Sequence, residues 1–186
     1  MRRTDTRTRI RGRRGGIALL LLLAACQRSA APNAPAPDPT SGSGLERAAI
    51  ETGVVADVSR VSPVGLYSRR HEAGSDTLCV MPAPGDTLRF GAQAMFGPHE
   101  YCRGRGTARR TGDKLILSFA GAHHCIIVAQ YDGDRIAMPG VVDMKCNDLC
   151  KGRGTLEGVS FPRVASEAGV AARARDLDGE PLCTPR

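Results

Sequence analysis

From Val64 onward, apolar residues tend to fall at every second position. That period of two is the signature of strands whose successive side chains point to opposite faces. It predicts strands over 64–69, 76–81, 87–96, 100–110, 114–119, 123–131, 134–138 and 154–161. The third is the clearest, with Leu88, Phe90, Ala92, Ala94 and Phe96 alternating with more polar or smaller neighbours. Between these segments lie Pro84-Gly85-Asp86, Gly97-Pro98, Thr111-Gly112-Asp113 and Asp132-Gly133-Asp134, all strong turn formers. About eight strands joined by short turns predict a mainly β protein, a small antiparallel sheet that curls into a barrel. Gly104 and Gly106, two apart in one strand, permit a sharp bend or close packing there.

Upstream the pattern changes. A short N-terminal helix is expected over 44–52, with capping-box spacing between Ser43 and Glu46 and Gly53 as its stop. Residues 27–44 are rich in Pro, Ala, Ser and Gly and bury too little apolar surface to fold, so they read as a tether. Extended, their 18 residues reach about 55 Å. Before them, residues 1–16 are basic and 17–25 form an apolar run of nine, far short of a membrane span but suited to a secretory signal. The resulting division is a signal peptide over 1–25, a tether over 26–44, a β domain over 45–165 and a tail over 166–186. Cys183 is expected to tie that partly helical tail back to the body.

Leu23-Ala24-Ala25-Cys26 resembles the lipobox of bacterial lipoproteins. The resemblance implies diacylglyceryl transfer to the Cys26 thiol, cleavage before Cys26 and acylation of the new amine. Gln27 in place of the usual inner-membrane retention Asp implies an outer-membrane, periplasm-facing address; the inner membrane stays open. Cleavage also changes the charge. Seven of the 26 basic residues and one of the 19 acidic residues precede Cys26, so the whole-chain +7 falls to +1 in the mature protein. The strong basicity therefore belongs to the signal, and export removes nucleic acid as a routine partner. Of seven cysteines, lipidation of Cys26 leaves Cys79, Cys102, Cys125, Cys146, Cys150 and Cys183, an even set for disulfides in an oxidising compartment. Their pairing stays open among 15 arrangements.

The remaining chemistry is thin. Ala122-His123-His124-Cys125 offers a thiol beside imidazoles, and a cysteine nucleophile using Cys125 with His123 or His99 is one candidate. Alternation within a strand sends His124 to the face opposite Cys125, which favours a structural bridge. His71, His99, His123 and His124 lack the short paired spacing of a zinc site, since Cys146 and Cys150 are the sole close pair, so no metal and no cofactor is expected. Arg103 and Arg105 form a candidate anion-binding face on the fourth strand. Cys102–Thr107 and Cys150–Thr155 both read C-[RK]-G-R-G-T, an echo expected to mark two similarly bent strands that each begin at a bridged cysteine.

These readings predict a non-enzymatic, outer-membrane-anchored lipoprotein with a binding or envelope-maintenance role. Its partners would be the membrane, through the anchor, and an envelope protein or polysaccharide. In size, export and architecture it is similar to the small lipoprotein inhibitors of lysozyme, which implies inhibition as one alternative. An envelope cysteine enzyme is the other.

Overall fold

Lys114–Phe119 shows how the sequence builds the wall of the fold. Leu115, Leu117 and Phe119 are buried while Lys114, Ile116 and Ser118 face outward, as a strand with one wet face requires. The computed structural model describes residues 44–55, 57–121 and 124–183; the lipobox, the tether up to Ser43, and His123 lie outside them. The strands are β1 (Gly65–His71), β2 (Gly74–Pro82), β3 (Leu88–Gly97), β4 (Glu100–Thr111), β5 (Lys114–Phe119), β6 (Ile126–Tyr131), β7 (Arg135–Ala137), β8 (Cys150–Lys151) and β9 (Ser160–Ala165). Strands β1 to β7 pair antiparallel in succession, and β9 pairs with both β7 and β1. The result is a closed eight-stranded antiparallel barrel. The two-residue β8 lies outside the closure, against the start of β4.

The interior is filled. Tyr67, Leu78, Phe90, Leu117, Ile127 and Phe161 are at most 2% exposed and belong to one core cluster. With no Trp in the chain, aliphatic and small residues complete the packing. Gly104 and Gly106 are required by that packing. A Cβ on Gly104 would meet the Phe119 ring at 2.4 Å, and one on Gly106 would meet the Ser118 carbonyl oxygen at 1.9 Å.

Each end of the barrel is closed by chain. The 22 residues between β7 and β9 carry Met138, Cys146, Leu149, Leu156 and Val159 into the main core. Cys125–Cys146 and Cys102–Cys150 staple this plug to the β5–β6 turn and to β4. At the opposite end, residues 57–64 form a strap that opens with a 3-10 turn, Val58–Arg60. Asp57 starts that turn by accepting a hydrogen bond from the Ser59 amide at 2.9 Å. Outside the barrel, a second small cluster of Cys79, Ala171, Ala174, Leu182 and Cys183 seats the C-terminal segment on the β1–β3 wall, locked by Cys79–Cys183.

Several expectations are corrected. The strand expected over 123–131 begins at Ile126, because His124 has a φ of 66° in a turn. The strand expected over 154–161 is instead β9, since residues 154–159 belong to the plug. In β3 the alternation stops at a bulge between Met95 and Gly97, so Phe96 turns outward to 36% exposure. Among its described residues the tail is helical only over α2 (Ala168–Ala171). The helix α1 (Gly44–Glu51) forms and Gly53 follows it at φ 73°, but α1 buries no residue. The CRGRGT echo does not mark two alike strands. Its two cysteines are bonded to each other, the first copy runs along β4, and the second leaves β8 at once through Gly152 at φ 78°.

Candidate functional site

Arg103 and Arg105 point outward from β4, beside Gln93 and Gly91 of β3, with which they are in register. In the structure the anions they face belong to the chain itself. The Arg103 guanidinium lies 3.0 Å from Asp176 and 2.6 Å from Asp178, and that of Arg105 lies 3.2 Å from Asp176. The Asp176 side chain is 1% exposed and also organises its own loop, accepting from the amides of Asp178 and Glu180 at 3.0 and 2.9 Å. Gln93 receives the Leu177 amide at 2.8 Å. Gly91 makes the approach feasible, because a Cβ there would lie 2.1 Å from the Leu182 carbonyl oxygen. Burial pulls the Arg103 pKa down, but its hydrogen bond to Asp178 and the charges of Asp176 and Asp178 more than offset this, so the guanidinium is held charged. This face is thus a latch for the tail.

The strap at the barrel end is held by a second basic and aromatic cluster. Arg163 of β9 donates to the hydroxyls of Tyr67 (2.8 Å) and Tyr131 and to the Ser62 carbonyl (2.7 Å), and its guanidinium lies 5.1 Å from the Tyr67 ring centroid. Tyr67 and Tyr131 donate onward to the carbonyls of Pro63 and Ser62 at 2.8 and 2.9 Å. Arg110 donates to the carbonyls of Val58, Val61 and Gly112, with its guanidinium 5.2 Å from the Tyr131 ring centroid. Backbone carbonyls of an irregular strap are costly to bury unpaired, and these side chains supply their donors.

Burial, reinforced by the nearby Tyr131, raises the Tyr67 pKa well above the ordinary tyrosine value near 10; burial raises that of Tyr131 against the opposing pull of Arg163. Above about pH 10 the unfolded chain loses a tyrosine proton that the folded barrel keeps, so stability falls as pH rises. The expected slope is at most about 1.4 kcal/mol per pH unit for Tyr67. Urea unfolding at about pH 9 and about pH 11 measures it, and Tyr67→Phe should flatten the slope. Equal slopes in both proteins would refute this account.

At the plug end, Asp76 lies on the inward register of β2 with Leu78 and Val80, yet is only 2% exposed. Its carboxylate accepts from Arg69, from His71 Nε2 and from the Met95 amide, each at 2.9 Å. His71 is thus engaged with a carboxylate, His99 is exposed in the β3–β4 turn, and Cys125 is bonded to Cys146. Among the described residues, no group of three or more His, Cys, Asp or Glu could hold a metal ion. The six expected cysteines all pair, as Cys79–Cys183, Cys102–Cys150 and Cys125–Cys146.

The fold and its clusters define a class: a disulfide-stapled, closed antiparallel barrel with a filled interior and chain segments fastened over both ends and one wall. Compared with protein-family models, curated proteins and solved structures, the chain matches none. Sequence reasoning missed Asp76, Asp176, Tyr131 and Arg163, and read Arg110 as part of a solvated basic strand although it holds the strap. For Asp76 a signal existed, since a carboxylate sharing parity with Leu78 and Val80 needs buried donors. For the others no local pattern marks which distant carbonyl or carboxylate they meet.

Proposed function

We propose that this is an envelope lipoprotein, held at the outer membrane through Cys26, whose barrel works by binding a partner on its outer surface. The observation that carries the reading is the filled barrel. Small-molecule sites are concave pockets that bury most of their ligand. Here the space where a lipocalin-like barrel keeps its ligand is occupied by Tyr67, Phe90, Leu117 and Phe161, with the strap and plug beyond them. Three disulfides fit an exported domain. The cysteine-enzyme alternative finds no support in the surroundings of Cys125, whose sulfur is bonded to Cys146 and whose residue is 1% exposed. A nucleophile must be a free thiolate.

Mass spectrometry of the mature protein tests this directly. Alkylation without reductant should label no cysteine of the barrel, alkylation after reduction should label all six, and the N-terminal peptide should begin with an acylated Cys26. An alkylatable Cys125 before reduction would restore the enzyme reading. An unprocessed or unacylated N-terminus would sink the lipoprotein reading.

A further inference from the structure

The wall formed by β4, β5 and β6 carries an apolar strip that is left exposed among the described residues. Register places Ile116 of β5 directly beside Val128 of β6, with Ile126 one row further along opposite Ser118. Val128 is 49% exposed and Ile126 is 53% exposed, whereas the β1–β3 wall is covered by the C-terminal segment. The row of Ile116 begins with Arg109, and the next row carries Lys114. Both cations are exposed and neither forms an ion pair among the described residues. The other outward positions in these rows are Thr, Ser and Gln; one carboxylate, Asp113, sits in the β4–β5 turn and accepts from Gln130 at 2.5 Å. The strip is therefore apolar at its centre, with two cations against one carboxylate, Asp113, at its rim.

We infer that this wall docks onto the surface of an anionic phospholipid bilayer, the one to which Cys26 would anchor the chain. The inference rests on the lipoprotein reading. Three features choose this occupant. A second copy of the wall would bring four cations and two carboxylates into one small interface, a net repulsion that works against a symmetric dimer through it. The strip, three aliphatic side chains wide, is far smaller than the roughly 800 Å² per partner that stable protein interfaces need. A tether removes that requirement, because a lipid surface held within about 55 Å presents itself at high effective concentration, where weak contacts suffice. Position agrees as well: Arg110, next to Arg109, fastens the strap by which the chain enters the barrel. Cations then meet phosphates while the β-branched side chains reach the headgroup–acyl boundary.

The chain has no Trp, so Val128→Trp supplies a single reporter at an exposed site. The mature acylated variant is reconstituted in vesicles of phosphatidylcholine alone, or with added phosphatidylglycerol, both containing brominated acyl chains. The expected result is blue-shifted, quenched emission in the anionic vesicles and water-like emission in the neutral ones or at high salt. Arg109→Gln and Lys114→Gln should each lower the docked-to-free ratio by about fivefold. A matched Val141→Trp reporter, at a site 80% exposed outside this wall, should stay water-like in both. Protein that floats with the vesicles yet shows unquenched Val128→Trp emission would overturn docking while leaving the anchor intact. Equal quenching in both vesicle types would overturn the role of the cations. A shift that needs added envelope protein, with none from lipid, would overturn the lipid assignment in favour of a protein partner. Failure to float would sink the anchor reading and this one with it.

Discussion

Replacing Cys79 and Cys183 together by alanine is expected to lower the unfolding free energy by about 4 kcal/mol. The bridge spans 104 residues, and Cys102–Cys150 inside that span shortens the free loop it closes to about 56. In the chain-entropy description, a crosslink of that reach removes roughly 4 kcal/mol of unfolded-state entropy, against about 3 for the 21-residue span of Cys125–Cys146. For a domain of this size the loss should appear as a fall in Tm of roughly 12–16 °C. The tail should also become the first site of proteolysis, since its remaining hold is the small outer cluster and the Arg103 and Arg105 pairs with Asp176. Thermal and urea unfolding measure the first effect. A loss below about 1 kcal/mol would mean that the unfolded chain is already constrained without this bridge.

Arg163→Ala comes next, at about 3 kcal/mol. The substitution removes donors to two tyrosine hydroxyls and to the Ser62 carbonyl, together with the stacking of the guanidinium over Tyr67 and Tyr131. Hydrogen bonds to a charged group contribute about 1.5–3 kcal/mol, and a desolvated cation over an aromatic ring up to about 2, with part of the sum offset by relief of side-chain ordering. Arg163→Lys should restore little, because a point charge cannot serve three divergent acceptors and stack on two rings at once. Amide hydrogen exchange should then accelerate in residues 57–64 before the strands open. Full rescue by lysine would show that charge alone matters and that the planar fork of Arg163 does not.

The two ends of the molecule show why part of it was legible and part was not. β5 was expected over 114–119 and stands there, because alternation, turn residues and strand length are all local properties. The segment 154–159 has strand-like composition but no partner to pair with; the plug captures it, with Leu156 and Val159 in the core and Gly154 packed against Phe96. Arg103 and Arg105 were legible as an outward-facing basic pair. Which anion they meet was not, because Asp176 arrives from 71 residues or more away through a tail whose path no local pattern encodes.

By itself, then, the sequence determined the strand count, the inward and outward faces of most strands, the even set of six cysteines and the return of the tail through Cys183. Those features depend on period, parity and turn chemistry, which neighbouring residues carry. Tertiary structure alone decided that the barrel closes through β9 and β1, that its interior is filled, that the CRGRGT cysteines bond to each other, and that an arginine face serves as a latch. Each of these turns on which distant groups come within bonding distance. An alternating pattern tells which side chains share a face, but only the packed fold tells what lies against that face.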